Sequence, residues 1–217
     1  MDLGIIQITN SNTKRLKLLI DKLIPFCVEK SGGKYTLVSP ENPILEKKVL
    51  ELGANFSLYT AWDKDMSRKW RQGISTRPEE WLAFFADDIL PSETWFEDMK
   101  EFLKNKLPGQ YGFRLVDEND KRHEHGEDWM QWPSRKYGYV HRPLDYNIET
   151  GYLENSKTAY VANCVVHRDV LKQIEPFGVY KAAPDVMWSL AIREYGFPIG
   201  FNIKAKAYHL GDRKDNR

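Results

Sequence analysis

The feature that most constrains the fold is a regular alternation of short apolar runs with helical segments over residues 1–116. Runs rich in β-branched and aromatic residues predict strands at 3–9, 35–39, 55–59, 81–86 and 111–116. Between these runs, apolar residues recur at helical spacing and predict helices at 13–29, 43–52, 64–74 and 93–104. The sequence therefore predicts an α/β fold with a mostly parallel sheet, helices on both faces, and ligands bound at the carboxyl ends of the strands.

The second half of the chain is less regular in its middle than at its end. Residues 117–157 have no clear periodicity, which predicts an irregular insertion that serves a function. Regular patterns then predict a strand at 159–167, helices at 168–174 and 185–195, and strands at 199–203 and 205–209. Because the sequence contains no repeat, low-complexity run or obvious linker, we predict a single domain over residues 1–217.

Composition excludes several classes of protein. The 217 residues carry 32 basic and 31 acidic side chains, which gives a formal net charge of +1. A broad nucleic-acid-binding face requires a surplus of Lys and Arg, so we predict no nucleic-acid partner, although a local basic groove is compatible with these numbers. A chain of this length buries enough surface to fold without disulfides or metal staples.

The predicted location is the cytoplasm or the cytoplasmic face of a membrane. No run approaches the roughly 18 apolar residues of a membrane span, and the N-terminus lacks the basic and apolar regions of a signal peptide. The first predicted strand starts almost at Met1, so we expect the mature protein to begin there. Cys27 and Cys164 fit no metal-ligand spacing, which favours two reduced, buried thiols over a structural disulfide.

Two adjacent carboxylates, Asp87 and Asp88, follow the apolar run WLAFFA at the predicted carboxyl end of a central strand. Neighbouring negative charges repel each other unless a cation or strong donors lie close by. Oxygen ligands of this kind suit Mg²⁺ or Mn²⁺ bound together with substrate phosphates. The alternative is that one carboxylate caps the next segment while the other is solvated, and spacing alone does not separate the two readings.

The segment WLAFFADDILPSETWFEDM resembles the acidic motif of nucleotide-sugar-dependent glycosyltransferases of the GT-A fold, especially family 2. In that family the motif is Asp-x-Asp, followed by a proline and by a Trp-hydrophobic pair that opens a helix. Ala86, Asp87 and Asp88 stand in the acidic motif here, and the alanine is a departure from the family pattern. The resemblance implies that Asp88 binds a divalent cation, Mn²⁺ or Mg²⁺, and that Asp87 lies near the donor sugar or ribose.

A second resemblance covers residues 159–210, which match the C-terminal half of the same family. Pro184 and Asp185 occupy the family's Glu-Asp motif, and His209 ends the last predicted strand. The resemblance implies that Asp185 is the catalytic base of an inverting enzyme and that His209 binds the metal or the diphosphate. Without it, Asp185 is read first as a helix N-cap, and His209 as a strand-end histidine bonded to a backbone carbonyl.

The resemblance also implies a set of donor-binding residues near the ends of the first strands and on the helix at 64–74. They are Thr9, Asn10, Ser11, Glu41 and Arg71. In the segment MSRKWRQGI, Lys69 and Arg71 are both basic side chains that can approach the diphosphate, and a solvated helix charge is the alternative. The sequence contains no GxGxxG and no GxxxxGK[ST], which argues against dinucleotide and P-loop folds.

Aromatic residues make up 13% of the chain, and many of them fall in the irregular middle segment. Trp and Tyr stack on the apolar faces of pyranose rings. In the family that the sequence resembles, this segment lines the acceptor site, so the resemblance implies that Trp129 and Trp132 bind the acceptor. Packing of these rings against the sheet is the alternative. The HEHGED stretch at 123–128 is predicted to be a solvated loop rather than a metal site.

Together these features predict a metal-dependent, inverting glycosyltransferase of the hexosyltransferase-like kind. Residues 1–116 would form the nucleotide-sugar-binding half and residues 117–217 the acceptor-binding half. The predicted partners are a nucleoside-diphosphate sugar and a glycan or other acceptor with a hydroxyl group, without an integral membrane segment. Two alternatives stay open, a nucleotidyltransferase and a non-catalytic carbohydrate-binding protein on the same fold.

Overall fold

The computed structural model describes most of the chain. The described residues are 1–10, 13–60, 66–116, 122–124, 127–131, 139–143, 152–153, 159, 161, 163–174 and 184–210. None of the helices within these ranges is both long and apolar enough to cross a membrane.

The secondary structure alternates between strands and helices through the first half of the chain. The strands are β1 (Leu3–Ile8), β2 (Tyr35–Ser39), β3 (Asn55–Leu58), β4 (Trp81–Ala86), β5 (Ile89–Pro91), β6 (Gln110–Val116), β7 (Arg122–Glu124), β8 (Glu127–Gln131), β9 (Tyr139–Pro143), β10 (Tyr152–Leu153), β11 (Asn163–His167) and β12 (Ile199–His209). The helices are α1 (Thr13–Leu18), α2 (Ile24–Ser31), α3 (Pro43–Glu51), α4 (Met66–Ser75), α5 (Trp95–Leu103), α6 (Arg168–Gln173) and α7 (Pro184–Glu194).

The main sheet has the strand order β10-β12-β6-β11-β4-β1-β2-β3. Strands β1, β2, β3 and β4 pair in parallel, and β12 pairs in parallel with β6. Strand β11 lies between β4 and β6 and is antiparallel to both, so β6 and β12 point in the same direction as β4. Six of the eight strands in this order therefore share one direction, which confirms the predicted α/β class with a mostly parallel sheet.

The helix predicted at 13–29 is divided by a π-helical turn, Leu19–Leu23, between α1 and α2. Pro25 is the second residue after this turn and is in the first turn of α2. Proline has no N–H, and its ring collides with the carbonyl four residues earlier in a regular α-helix. The wider π turn relieves that collision, which the apolar periodicity alone does not reveal.

Two other predictions of secondary structure are wrong. The segments predicted as separate strands at 199–203 and 205–209 form one strand, β12, with a shift in register between Asn202 and Lys206. The Asn202 side chain accepts hydrogen bonds from the N–H groups of Lys204 at 2.8 Å and Ala205 at 3.3 Å, which satisfies the backbone at the irregularity. Within 117–157, where no elements were predicted, β7 pairs with β6, β8 with β9, and β10 with β12.

The core has two parts, one on each face of the sheet. The first part holds apolar residues of α2, α3 and α5 against β1, β2 and β6, and the second holds those of α4, α6 and α7. Four of the seven tryptophans are buried in these two parts: Trp70, Trp81, Trp95 and Trp188. Core packing therefore explains more of the aromatic content than the sequence suggested.

Cys27 and Cys164 are both buried, and no disulfide joins them, which confirms the prediction of two reduced, buried thiols. Burial raises the pKa of Cys27 to about 12. Since the thiolate is the reactive form, the folded protein should react with a thiol-specific reagent at pH 8 far more slowly than the unfolded protein. Reaction of two thiols in urea and almost none in buffer is the expected result, and rapid labelling of the folded protein would contradict the buried placement.

Gly73 lies on α4 where the helix approaches β1. A Cβ added at this position would lie 2.3 Å from Cγ2 of Ile6 and 3.2 Å from Cγ2 of Val38. Alanine gains about 1 kcal/mol in helix propensity over glycine, but overpacking a core costs about 1–3 kcal/mol. We expect Gly73→Ala to lower the free energy of unfolding in urea, whereas Ser75→Ala, an exposed change on the same helix, should leave it nearly unchanged.

Candidate active site

The carboxyl ends of β1 and β4 meet at one edge of the sheet. These strands are parallel neighbours in which Ile8 lies opposite Ala86. The residues that follow, Thr9 and Asn10 after β1 and Asp87 and Asp88 after β4, are therefore brought together. The sequence predicts these residues at strand ends, and the register of the two strands makes them neighbours.

The Asp87 carboxylate is buried and accepts hydrogen bonds on both oxygens. Its Oδ2 accepts from the Thr9 hydroxyl at 2.7 Å and from the Asn10 N–H at 3.3 Å. Its Oδ1 accepts from Nη1 of Arg15 at 3.2 Å. Asp87 thus fixes the turn after β1 against the turn after β4.

The Asp88 carboxylate faces His209 and Arg15. Its Oδ2 lies 3.4 Å from Nε2 of His209 and 3.4 Å from Nη1 of Arg15. Burial raises the pKa of Asp88, but the hydrogen bond with His209 and the charges of His209 and Arg15 outweigh this effect. The net pKa lies below the ordinary value for aspartate, so Asp88 is ionised at neutral pH.

His209 reaches Asp88 because of a short antiparallel pairing. Strand β5 begins at Ile89, directly after the acid pair, and pairs with the end of β12 so that Ile89 lies opposite His209. The Leu210 N–H also donates a 2.8 Å hydrogen bond to the backbone carbonyl of Asp88. This pairing brings together two residues that are 121 positions apart in the sequence.

Two basic residues complete the cluster. Arg15 is on α1, and its Nη1 contacts both carboxylates of the acid pair. Lys69 is on α4 and only 2% exposed, and its Nζ donates to the Thr9 carbonyl at 3.3 Å and to Oδ1 of Asn10. The Lys69 ammonium also lies 5.2 Å from the centre of the Tyr59 ring. The edge of the sheet thus carries two carboxylates and two cations. Arg15 contacts both carboxylates, and Lys69 contacts the turn after β1 that is hydrogen-bonded to Asp87.

Arg15 was not predicted as a site residue, and Lys69 was predicted only together with Arg71. The signal in the sequence that could have identified both residues is their position on helices that start near the carboxyl edge of the sheet. Lys69 is the residue of that pair that contacts Thr9 and Asn10. Arg71 instead lines a different cavity of about 610 Å³ together with Arg77 and Arg168.

For the remaining predicted residues, the described part of the chain shows no contact with the cluster. Glu41 is exposed, two residues after the end of β2. Ser11 and Trp132 lie outside the described residues, as do the side chains of Asp185 and Trp129. The backbone places Asp185 in the first turn of α7, and it places Trp129 opposite His141 in the β8–β9 pair. The roles predicted for these residues stay predictions.

The side chains that suit a divalent cation here are the Asp88 carboxylate and the His209 imidazole. Within the described ranges, no three His, Cys, Asp or Glu side chains form a group that could hold a metal ion. A carboxylate oxygen and an imidazole nitrogen fit Mn²⁺ better than Mg²⁺, which prefers oxygen ligands, and substrate phosphates would complete the coordination.

The chain has a GT-A type α/β fold, and solved structures of this fold superimpose on most of its length. GalNAc-T7, solved with UDP, GalNAc and Mn²⁺, superimposes with a TM-score of 0.73 at 9% sequence identity and over 96% of this chain. TarS of S. aureus superimposes with TM-scores of 0.64 for its 1–349 form and 0.67 for a second structure. The identities to TarS are 14% and 12%, over 96% and 99% of this chain.

The chain spans only part of each of these proteins. It covers 44% of the GalNAc-T7 chain, and 60% and 38% of the two TarS chains. No protein-family model matches the sequence, and no curated protein matches it. The similarity therefore concerns the fold.

Proposed function

We propose that the protein is a metal-dependent glycosyltransferase that moves a sugar from a nucleoside diphosphate to a hydroxyl group of a glycan or other acceptor, with inversion. The observation that carries this proposal is the 3.4 Å approach of Asp88 to His209 at the carboxyl edge of a GT-A sheet. The presence of UDP and Mn²⁺ in the GalNAc-T7 structure supports a nucleotide-sugar donor and a divalent cation.

Asp88 and His209 are the residues that would hold the cation. When bound, Mn²⁺ or Mg²⁺ would neutralise the charge that grows on the departing diphosphate. Arg15 lies 3.2 Å from Asp87 and 3.4 Å from the same Asp88 oxygen, so it offsets part of the negative charge of the acid pair. The Asp88 carboxylate, ionised at neutral pH, is ready to bind a cation without first losing a proton.

The turn after β1 is the proposed contact surface for the nucleotide. Asp87 holds the Thr9 hydroxyl and the Asn10 N–H, and Lys69 holds the Thr9 carbonyl, so the turn is fixed before the donor binds. Preorganised polar groups of this kind lower the cost of ordering a ligand. Ser11 and Glu41 extend this surface in the proposal.

Asp185 is the proposed general base. A carboxylate in the first turn of a helix is stabilised in its ionised form by the positive end of the helix dipole. It would remove the proton of the acceptor hydroxyl as that oxygen attacks the anomeric carbon. Trp129 and Trp132 are the proposed stacking surface for the acceptor sugar.

The experiment that tests the function is a screen of UDP, GDP and dTDP sugars with Mn²⁺, Mg²⁺ or a chelator. We expect one donor to release its nucleoside diphosphate only when a divalent cation is present. Release of pyrophosphate from a nucleoside triphosphate and a sugar phosphate would instead identify a nucleotidyltransferase. Sugar binding without metal-dependent nucleotide affinity in calorimetry would identify a non-catalytic carbohydrate-binding protein.

A further inference from the structure

A second cavity lies beside β5 and is separate from the acid pair. Its volume is about 950 Å³, and it is an open cavity lined by the π turn and α2, by the turn before α5, by β6 and by the irregular part of β12. Four cationic side chains line it: Lys22, Arg114, Lys204 and Lys206. We call it the basic cavity. Among the described lining residues, Glu93 supplies the one carboxylate.

Three of the four cations of the basic cavity lack a carboxylate partner in the described part of the chain. For Lys22, Arg114 and Lys204, no carboxylate of the described part of the chain lies within ion-pairing distance of the side chain. Lys206 packs its Nζ 5.1 Å from the centre of the Tyr208 ring. Like charges around one cavity repel each other and concentrate anions from solution. The net charge of +1 for the whole chain conceals this local excess.

The wall of the basic cavity also offers an unused hydroxyl group. The Ser92 Oγ is buried and has no hydrogen-bond partner among the described residues. The backbone at this position is fixed, because the Ser92 N–H donates to the Lys206 carbonyl at 2.9 Å and the Trp95 N–H donates to the Ser92 carbonyl at 3.0 Å. A buried hydroxyl without a partner is unfavourable, and an anionic oxygen in the cavity would accept its hydrogen bond.

Apolar side chains complete the lining. Phe26, Leu90, Ile203 and Tyr208 lie among the cations. Phe26 and Leu90 pack against the first core part, whereas Trp188 and Ile192 of α7 belong to the second. The basic cavity therefore borders the face of the sheet away from α7 and from the proposed base.

We propose that the basic cavity binds the phosphate groups of an organic anion, independently of the metal site at Asp88. Phosphate presents several oxygens and more than one negative charge, which matches a set of four cations better than a single carboxylate does. The apolar lining accommodates the organic part of the ligand. A soluble phosphate ester and the headgroup of an anionic phospholipid share this chemistry.

The first experiment titrates the whole chain with inorganic pyrophosphate in a calorimeter with a chelator present, so that the metal site does not contribute. We expect binding by the unmodified protein and a decrease of at least about tenfold in affinity for the double variant Arg114→Gln and Lys204→Gln. Lys47→Gln removes an exposed lysine of α3, and this matched control should bind as the unmodified protein does. Circular dichroism melting curves establish that both variants are folded.

The second experiment distinguishes the two sources of phosphate. The same proteins are sedimented with vesicles of phosphatidylcholine alone and with vesicles that also contain phosphatidylglycerol. Binding to the anionic vesicles that the double variant loses would support a phospholipid headgroup, and pyrophosphate binding that it loses would support a soluble phosphate ester. The proposal is overturned if neither probe binds, or if the double variant binds as well as the Lys47→Gln control.

Discussion

Replacing Asp88 with asparagine is expected to lower metal-dependent turnover of the nucleotide sugar by about three orders of magnitude or more. The amide keeps the shape of the side chain but removes the negative charge that would hold the cation. The affinity for Mn²⁺ should fall with the rate, because His209 alone would remain as a protein ligand. Diphosphate release at several Mn²⁺ concentrations measures both effects.

The fold should survive the Asp88→Asn change. The backbone carbonyl of Asp88 keeps its hydrogen bond from Leu210, and Arg15 keeps its 3.2 Å contact with Asp87. Asp21→Asn removes an exposed carboxylate from the π turn and serves as the matched control with unchanged turnover. Full metal-dependent activity in Asp88→Asn, with normal folding, would contradict the proposed function.

The positions of Asp87 and Asp88 could be predicted because they depend on local patterns. An uninterrupted apolar run such as Trp81–Ala86 identifies a buried central strand, and polar residues directly after it must lie at the edge of the sheet. The turn after β1 follows from the same reasoning. Periodicity thus fixes where each strand ends, and parallel pairing brings neighbouring ends together.

The contacts of His209 and Arg15 could not be predicted from local patterns. His209 reaches Asp88 through the three-residue strand β5, which is too short to give a periodic signal. Strand β11 enters the sheet antiparallel between β4 and β6, and this pairing depends on which distant strands bury their faces against each other. Only the resemblance to a family indicated that His209 belongs to the site.

The aromatic residues show that composition alone does not predict which rings bind a ligand. A high ring content suggested a surface for sugars, but Trp95 is fully buried, and its ring lies 4.9 Å from that of Phe85 and 5.1 Å from that of Phe113. Its indole N–H donates to Asn163 at 3.2 Å, so even its polar atom is used within the core. Counting residues does not separate core rings from ligand-binding rings, since both need flat apolar surfaces.

Replacing Asp185 with asparagine should lower the rate of sugar transfer by about 10²–10⁴-fold while metal-dependent binding of the nucleoside diphosphate is retained. An amide cannot accept the proton of the acceptor hydroxyl, but it leaves Asp88 and His209 untouched. The expected result is therefore a fall in kcat with little change in the affinity for the nucleotide. Steady-state kinetics together with calorimetric titration of UDP and Mn²⁺ separates these quantities.

The position of α7 makes this change a test of chemistry rather than of folding. Trp188 and Ile192 bury the helix in the second core part, and the Ser189 hydroxyl donates to Gln110 at 3.0 Å. The helix runs from Pro184 to the turn that leads into the start of β12, so its first turn is nearer the carboxyl edge of the sheet than its last. Glu194→Gln at the far end of the same helix is the matched control and should transfer sugar at the normal rate. If Asp185→Asn also keeps the normal rate while Asp88→Asn loses it, the metal site operates without this base, and another residue must remove the proton.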